Sequence, residues 1–379
     1  MRIACITTSV IPSKSANSIQ AMKVVHAYRE LGHDIRLWVP DFGQAEWPQV
    51  AEIYGIKEEF EIRWLPFRPI ANRYDFCWKS VRKALDWKAD AIYTWSLQAA
   101  VFAALQKIPI VIELHDFPMG FLGPKLFKLF IALRGEKLVL TTTQALADGL
   151  EAAYGFKFKP QMLQIAPNGT EPLRYSGLPS PEKSREKLGL KNVFTVGFTG
   201  HFYAGRGADL LLDLAKNLPE INFLWVGGRE KDIAPWRDRL LNIEIRNVNL
   251  TGFIPNRELP LYQSAAEILL MPYSKKISGS SGGSIERVIN PMKMFDYLAA
   301  GRAIIASDIP VFHEVLDNNI AEFCKPEKSS DWVDKIRALK ADPERLNALG
   351  LAARKAALKY SWKNRAQETI CRLEKIIKL

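Results

Sequence analysis

Brief apolar runs recur through this chain at intervals that leave room for a helix between each pair, and that alternation constrains the fold more than any other feature. In the first half the runs lie at 3–8, 34–39, 62–66, 91–94, 108–113, 138–142 and 164–166. In the second they lie at 194–200, 222–226, 248–251, 268–271, 303–307 and 321–324. Helices are expected at about 207–217, 257–265 and 291–300, and along most of the charged tail from about 329 to 379. Strands alternating with helices predict an α/β architecture with parallel sheets. Asn168-Gly169 reads as a turn. From 171 to 190 the text becomes rich in Pro, Ser and Lys, as in a linker, so two domains of the same type are expected. The length of 379 residues agrees, since single cores stop growing near about 250–300 residues. No internal sequence repeat is visible, so the halves share architecture only.

Charge narrows the partners. A formal net charge of +11 suggests an anionic one: nucleic acid, a phosphorylated substrate or an acidic membrane face. Cys5, Cys77, Cys324 and Cys371 are scattered without a C-x-x-C pair. That pattern suits a reducing compartment and neither a zinc ribbon nor a disulfide scaffold. No apolar run approaches the roughly 18 residues of a membrane helix. The segment from Met1 to Thr8 reads as a first buried strand, too short for a signal peptide. A cytoplasmic protein is expected.

The segment Asn290-Pro291-Met292-Lys293-Met294-Phe295-Asp296-Tyr297-Leu298-Ala299-Ala300-Gly301 carries the clearest chemistry. Asn290 suits an N-cap, Pro291 the first helical position and Gly301 the helix stop. The free N–H groups at such a helix start, with the dipole behind them, form an anion site. Asp296 lies about 7.5 Å along the axis, at about 1.5 Å per residue, and its side chain tilts back toward the start. That separation suits a diphosphate on the amides and a ribose hydroxyl on the carboxylate. A plain amphipathic helix is the competing reading of this stretch alone.

Further on-pattern residues gather around it. Gly200-His201-Phe202-Tyr203-Ala204-Gly205-Arg206-Gly207 follows the first strand of the second half. Its glycines allow close backbone approach to phosphate, and Arg206 can hold phosphate oxygens in a bidentate way. Leu210 stands where a dinucleotide fingerprint needs its third glycine, and no G-x-G follows the run at 3–8, so a nicotinamide or flavin enzyme is not expected. An ordinary glycine-rich turn is the alternative. His115, in Glu113-Leu114-His115-Asp116, ends a strand where α/β sheets bind ligands; it suits a sugar hydroxyl or phosphate, or a plain strand-end hydrogen bond. The five histidines form no ligand pair and no D-x-D follows a strand, so no metal is expected. Ser278-Gly279-Ser280-Ser281-Gly282-Gly283-Ser284 reads either as a flexible active-site loop or as a disordered bulge, and its place just before the key helix favours the first. Two basic stretches carry aromatic residues. At 68–88, six basic residues stand against Asp75 and Asp86, with Tyr74, Phe76, Trp78 and Trp87. At 121–140, Lys125, Lys128, Arg134 and Lys137 stand against Glu136, interleaved with Phe127, Leu129, Phe130 and Ile131. Both a membrane-interface helix and an amphipathic surface helix read this way.

In this order, the motifs resemble the retaining family-4 glycosyltransferases of the GT-B fold over nearly the whole chain. The segment from Pro291 to Gly301 is similar to that family's P-x-K-x-x-E-Y-x-A-x-G donor motif. Thr251-Gly252-Phe253-Ile254-Pro255, with Glu258, Leu259 and Tyr262, resembles the base-binding segment. Pro167-Asn168-Gly169-Thr170-Glu171 resembles the P-N-G-x-D linker entry, and Leu31-Gly32-His33-Asp34-Ile35 the end of the first helix. Tyr360-Ser361-Trp362 resembles the start of the final helix. There are departures. Asp296 replaces the second acidic residue and Val288 the first, with Glu286 nearby but out of register. His201 and Arg206 stand for the phosphate-binding Arg/Lys pair, and Ser15-Ala16-Asn17-Ser18 for a Gly-Gly loop.

The resemblance implies a GT-B fold of two Rossmann-like parallel-sheet domains facing a central cleft. An acceptor-binding domain would span 1–172, with a C-terminal helix at about 361–379 packed back onto it, and a donor-binding domain 190–360. It implies a metal-independent retaining transferase moving a sugar from a nucleoside-diphosphate sugar to an acceptor hydroxyl, in cell-envelope, polysaccharide or glycoconjugate synthesis. His115, Arg206 and Lys293 would be catalytic. Gly200, His201, Arg206, Gly228 and Arg229 would bind the donor, with Phe253 and Ile254 at the base, and Pro291, Met292, Lys293 and Asp296 at the diphosphate and ribose. Glu286 would touch the sugar, and Ser15, Asn17 and Ser18 would form an acceptor-side loop. No cofactor is expected beyond the donor, with UDP or GDP as its nucleotide. The acceptor would be a glycan or lipid-linked, the protein cytoplasmic with an anionic membrane surface as a further partner, and nucleic acid no partner. Two other functions stay open: a nucleoside-diphosphate-sugar epimerase of the same fold, and a non-catalytic basic membrane or nucleic-acid binding module.

Overall fold

The computed structural model describes residues 1–71, 73–202, 205–277 and 285–378; the expected active-site loop at 278–284, and Tyr203 and Ala204 of the glycine-rich segment, lie outside these. All thirteen apolar runs form strands, each within two residues of the expected ends. The chain divides into two compact units, Met1–Asn168 with Trp362–Leu379, and Gly169–Ser361.

The first unit holds β1 (Arg2–Ile6), β2 (Asp34–Pro40), β3 (Glu61–Leu65), β4 (Ala91–Thr94), β5 (Ile110–Leu114), β6 (Lys137–Thr141) and β7 (Leu163–Ile165). They pair in parallel in the order β3-β2-β1-β4-β5-β6-β7. The strand order reverses between β1 and β4. β4, β5 and β6 are buried along their whole length, because helices cover both faces, as a parallel sheet requires. Helix Ala16–Glu30 packs against the final helix, Trp362–Lys378, so the end of the chain completes the core of its beginning.

The second unit holds β8 (Thr195–Thr199), β9 (Asn222–Val226), β10 (Val248–Gly252), β11 (Ile268–Met271), β12 (Ala303–Ser307) and β13 (Ala321–Cys324). Their order is β10-β9-β8-β11-β12-β13, again all parallel, and reverses between β8 and β11. Phe198, Phe223, Trp225, Leu270 and Ile305 lie in its core. Helix Pro343–Ala357 packs on helix Met292–Ala300. The two meet so closely that a Cβ on Gly350 would stand 2.6 Å from the Gly301 carbonyl oxygen.

Three local expectations are corrected. The stretch 171–190 is no linker: it forms a 3-10 turn at Pro172–Tyr175 and a helix at Pro181–Lys187 inside the second unit. Ser180 caps that helix and Pro181 opens it, so the Pro and Ser residues mark a helix start. Arg185 is buried there, 2.7 Å from Glu267 and hydrogen-bonded to Asn192. Asn168-Gly169 is not a turn either. The chain runs extended into Thr170, whose N–H donates to the Tyr360 carbonyl at 2.9 Å in a parallel bridge with Ser361. A helix at Glu230–Asn242 also forms where none was expected, with Pro235 inside it.

Candidate functional site

Open parallel sheets bind ligands beyond the carboxyl ends of their strands, where the order reverses. In the second unit that point lies between β8 and β11. Gly200 follows β8 with φ of 145°, and a Cβ there would come within 2.8 Å of Lys293 Nζ. Only glycine lets the chain turn this close to the lysine. Gly207 has φ of 83°, and a Cβ there would fall 1.8 Å from the Pro272 carbonyl oxygen just past β11. The glycine-rich segment is thereby pressed against the neighbouring strand end, which sets Arg206 over the switch point.

Lys293 and Arg206 meet on a floor of buried rings. Lys293 Nζ stands 3.9 Å from the centroid of the Phe198 ring and 5.4 Å from that of Tyr273, while the Arg206 guanidinium stands 5.1 Å from Tyr273. Among the described residues neither cation has a carboxylate partner. Burial, and then the charge of Arg206, push the Lys293 pKa well below the ordinary lysine range. His201 is half-buried beside them. Burial lowers its pKa, and Lys293, Arg229 and Arg206 lower it further against an opposing pull from Asp232. Uncompensated, partly desolvated positive charge is costly. It becomes favourable when an anion arrives.

The helix start supplies amides to the same place, with one correction. The cap is Pro291, in extended conformation (ψ 132°), and helix Met292–Ala300 begins after it; Asn290 lies one residue outside. Pro291 is itself extended, so the first helical residue is Met292 and the capping position moves one residue past Asn290. Pro291, which has no polar side chain, makes no side-chain cap hydrogen bond there. The hydroxyl of Tyr297, further along, accepts from the Thr199 N–H at 2.8 Å and ties the helix to the end of β8.

Asp296 is half-buried, and its Oδ1 accepts from Thr170 Oγ1 at 3.0 Å. Tyr175, fully buried, donates to Gln263 Oε1 at 2.9 Å. Burial and then the nearby Asp296 charge push the Tyr175 pKa well up. Sequence reasoning missed both as neighbours of Asp296. Thr170 belongs to the Pro167–Glu171 motif, so a signal exists for it; Tyr175 lies in the stretch expected to be a linker.

The remaining donor-side candidates follow the strands in spatial order. Gly228 and Arg229 follow β9; a Cβ on Gly228 would meet Ile233 Cγ2 at 2.4 Å, and Arg229 pairs with Asp232 at 2.7 Å. Phe253 and Ile254 follow β10. β10 lies two strands from β8, about 10 Å at the usual strand spacing, which is room for a nucleoside between base and phosphate. Glu286 is half-buried in a turn closed by the Val288 N–H on the Ile285 carbonyl at 3.0 Å, and Val288 is buried.

In the first unit His115 follows β5, half-buried, with Nε2 2.7 Å from Glu113 Oε1. Glu113 is fully buried and also accepts from Gln20 Nε2 at 2.7 Å, from Arg365 Nη2 at 2.6 Å and from the Tyr93 hydroxyl. Burial alone pushes its pKa up. The charges of Arg365 and His115 and the hydrogen bonds outweigh that and hold it at about 2. An ionised Glu113 keeps a proton on His115 Nε2 and leaves Nδ1 for a ligand. Arg365, from the final helix, was not singled out in the sequence.

Ser15, Asn17 and Ser18 are not a loop. Ser15 caps helix Ala16–Glu30, accepting from the Ser18 N–H at 3.3 Å. The buried Ser18 hydroxyl is spent on the Ser13 carbonyl and Tyr54 hydroxyl. The S-A-N-S text is a helix start, where Ser leads as a cap. Of the three only Asn17 is exposed within the helix.

Two family profiles match the chain in tandem. The one described as Glycosyltransferase Family 4 matches residues 19–174, and the one described as Glycosyl transferases group 1 matches residues 180–356. An alpha-galactosylglucosyldiacylglycerol synthase of Streptococcus pneumoniae is 24% identical over 236 residues, covering 60% of this chain and 58% of that protein. A D-inositol 3-phosphate glycosyltransferase of Rhodococcus jostii is 25% identical over 251 residues, 62% of this chain and 52% of its own. The chain spans between 35% and 58% of the curated relatives it matches. Among solved structures, Anabaena HepE with UDP superposes with a TM-score of 0.76 at 17% identity, over 99% of this chain and 100% of that one, and was also solved with UDP-glucose.

Proposed function

We infer that this chain, which belongs to the family 4 glycosyltransferases of the GT-B fold, moves a sugar from a nucleoside-diphosphate sugar to an acceptor hydroxyl with retention at the anomeric carbon. The observation that carries the reading is the Lys293–Arg206 pair, set on buried rings at the switch point without a carboxylate partner. Two adjacent cations and the start of helix Met292–Ala300 suit a diphosphate, and such groups stabilise the charge that grows on a departing nucleotide. Fixed cations do here the neutralising that a metal ion does elsewhere, so the reaction is proposed to need none.

Asp296 takes a ribose hydroxyl at the start of this helix, and the segment at Phe253 and Ile254 meets the base. Residues 190–360 hold the donor and 1–172 with the final helix take the acceptor. His115, oriented by Glu113, serves the reacting sugar. No side chain is placed as a nucleophile, which favours a route in which the leaving phosphate helps to deprotonate the acceptor on the same face. UDP-binding in HepE favours UDP as the nucleotide. The glycolipid-forming relative favours a lipid-linked acceptor and a cell-envelope setting. The epimerase alternative needs carboxylates around the sugar; Val288 and Glu286 supply little of that. A pure binding module leaves the ordered donor edge from β10 to β11 without purpose.

The test is the thermal shift of the purified protein with UDP, GDP, ADP and dTDP, each at about 1 mM. A ligand at 100 times its dissociation constant adds about 2.7 kcal/mol. One nucleotide should raise the melting point, and Asp296→Ala or Arg206→Ala should abolish the shift and lower transfer at least tenfold. No shift with any nucleotide, or near-wild-type transfer in both variants, overturns the assignment.

A further inference from the structure

Beyond β5 the first unit turns an unusual face outward. Met119, Phe121, Leu122 and Leu129 are 50, 79, 47 and 44% exposed. Helix Gly123–Ala132 already buries Phe127 and Phe130 inward, so these four are surplus to its packing. Lys125 and Lys128 share the exposed surface, and Lys125 Nζ lies 3.8 Å from the centroid of the Phe121 ring. No Asp or Glu occurs between Asp116 and Glu136. A helix facing water normally offers a polar outer face. This one offers an aromatic, aliphatic and cationic surface, and its own segment carries no acid, the combination found on helices that lie in a bilayer interface.

We propose that residues 119–129 seat the first unit on an anionic lipid bilayer. Phe121, Leu122 and Leu129 enter the headgroup–acyl boundary, and Lys125 and Lys128 meet the lipid phosphates. Both charge sign and side-chain chemistry match such a surface. Met119 lies four residues from His115, a reach of at most about 14 Å along an extended chain. An acceptor held in the bilayer would therefore arrive beside the histidine. That last step rests on the glycosyl-transfer reading; the bilayer contact itself does not.

Co-sedimentation with phosphatidylcholine vesicles, with and without about one third phosphatidylglycerol, tests the contact at low and moderate salt. The wild type should bind the anionic vesicles, more weakly as salt rises. K125E/K128E should weaken binding by about fivefold or more per lysine, since each basic residue near such a surface adds about a factor of five. F121S/L122S should weaken it at every salt concentration. Both variants should keep the nucleotide thermal shift, which shows the fold and the donor site intact and separates this proposal from that one. Absence of wild-type binding, or binding unchanged in both variants, overturns the proposal. So does a wild-type dimer that F121S/L122S breaks, because a second copy would then cover the face.

Discussion

Removing Arg365 should unseat the final helix in a way that depends on pH. Arg365 and Glu113 are both buried, 2.6 Å apart, and belong to segments 252 residues apart in the sequence. Glu113 falls from an ordinary 4.5 to about 2 in the folded chain. A depression of that size corresponds to roughly 3 kcal/mol at about 1.4 kcal/mol per pH unit. Because the folded value is the lower one, that stabilisation is complete above pH 4.5 and is lost as pH falls toward 2. In Arg365→Met the main opposing charge is gone, and burial pushes Glu113 upward instead. The variant should be about 3–5 kcal/mol less stable near neutral pH, the usual consequence of stranding a buried charge. A raised carboxyl is stable when protonated, so the deficit should shrink as pH falls from 8 toward 5. Urea unfolding of the first unit at several pH values, with hydrogen exchange along Trp362–Lys378, measures both effects. The double variant Glu113→Gln/Arg365→Met should cost less than the two single changes summed. A deficit below about 1 kcal/mol at pH 7, or one that does not change with pH, would refute the claim that this pair anchors the helix.

Lys293→Met should raise the melting point of the nucleotide-free protein while abolishing the nucleotide shift, since it removes an uncompensated cation proposed to hold the diphosphate; a lower melting point would show that the lysine's ring contacts matter more than its charge. His201, whose pKa is lowered by burial and by Lys293 and Arg229, should gain a proton when a diphosphate binds. Affinity should then weaken as pH rises through the bound-state value, and calorimetry in buffers of different ionisation heat should show proton uptake that His201→Gln lacks. Gly207→Ala adds a Cβ at 1.8 Å from the Pro272 carbonyl at a φ of 83°. The backbone strain alone is about 1–3 kcal/mol, so soluble yield and melting point should both fall, and an unchanged melting point would rule out the close approach described at the switch point.

The strands were legible because burial in a parallel sheet leaves a local trace: four or five adjacent apolar residues need no partner to be recognised. Helix Glu230–Asn242 left almost none. Only Ile233 and Leu240 are buried in it, Pro235 lies inside it, and six of its 13 residues are charged. The stretch 171–190 was misread for a related reason. Pro and Ser serve linkers and helix starts alike, and what decides between them is Tyr175 meeting Gln263 and Arg185 meeting Glu267, each more than 80 residues away. The candidate site divides along the same line. Arg206, Lys293 and Asp296 could be picked out because a glycine-rich turn and a helix start are written in consecutive residues. The missing carboxylate beside Lys293 could not, since an absence of partners exists only after folding. Arg365 is the limiting case. Within a charged terminal helix it reads as one solvated cation among several, and nothing in the sequence around it distinguishes it from Lys363 or Arg372. It acquires a role only when the chain's end returns to the first unit and finds a glutamate that burial would otherwise force to take up a proton. Residues that act through a partner distant in sequence are therefore silent in a single sequence, however decisive the pair is for placing His115.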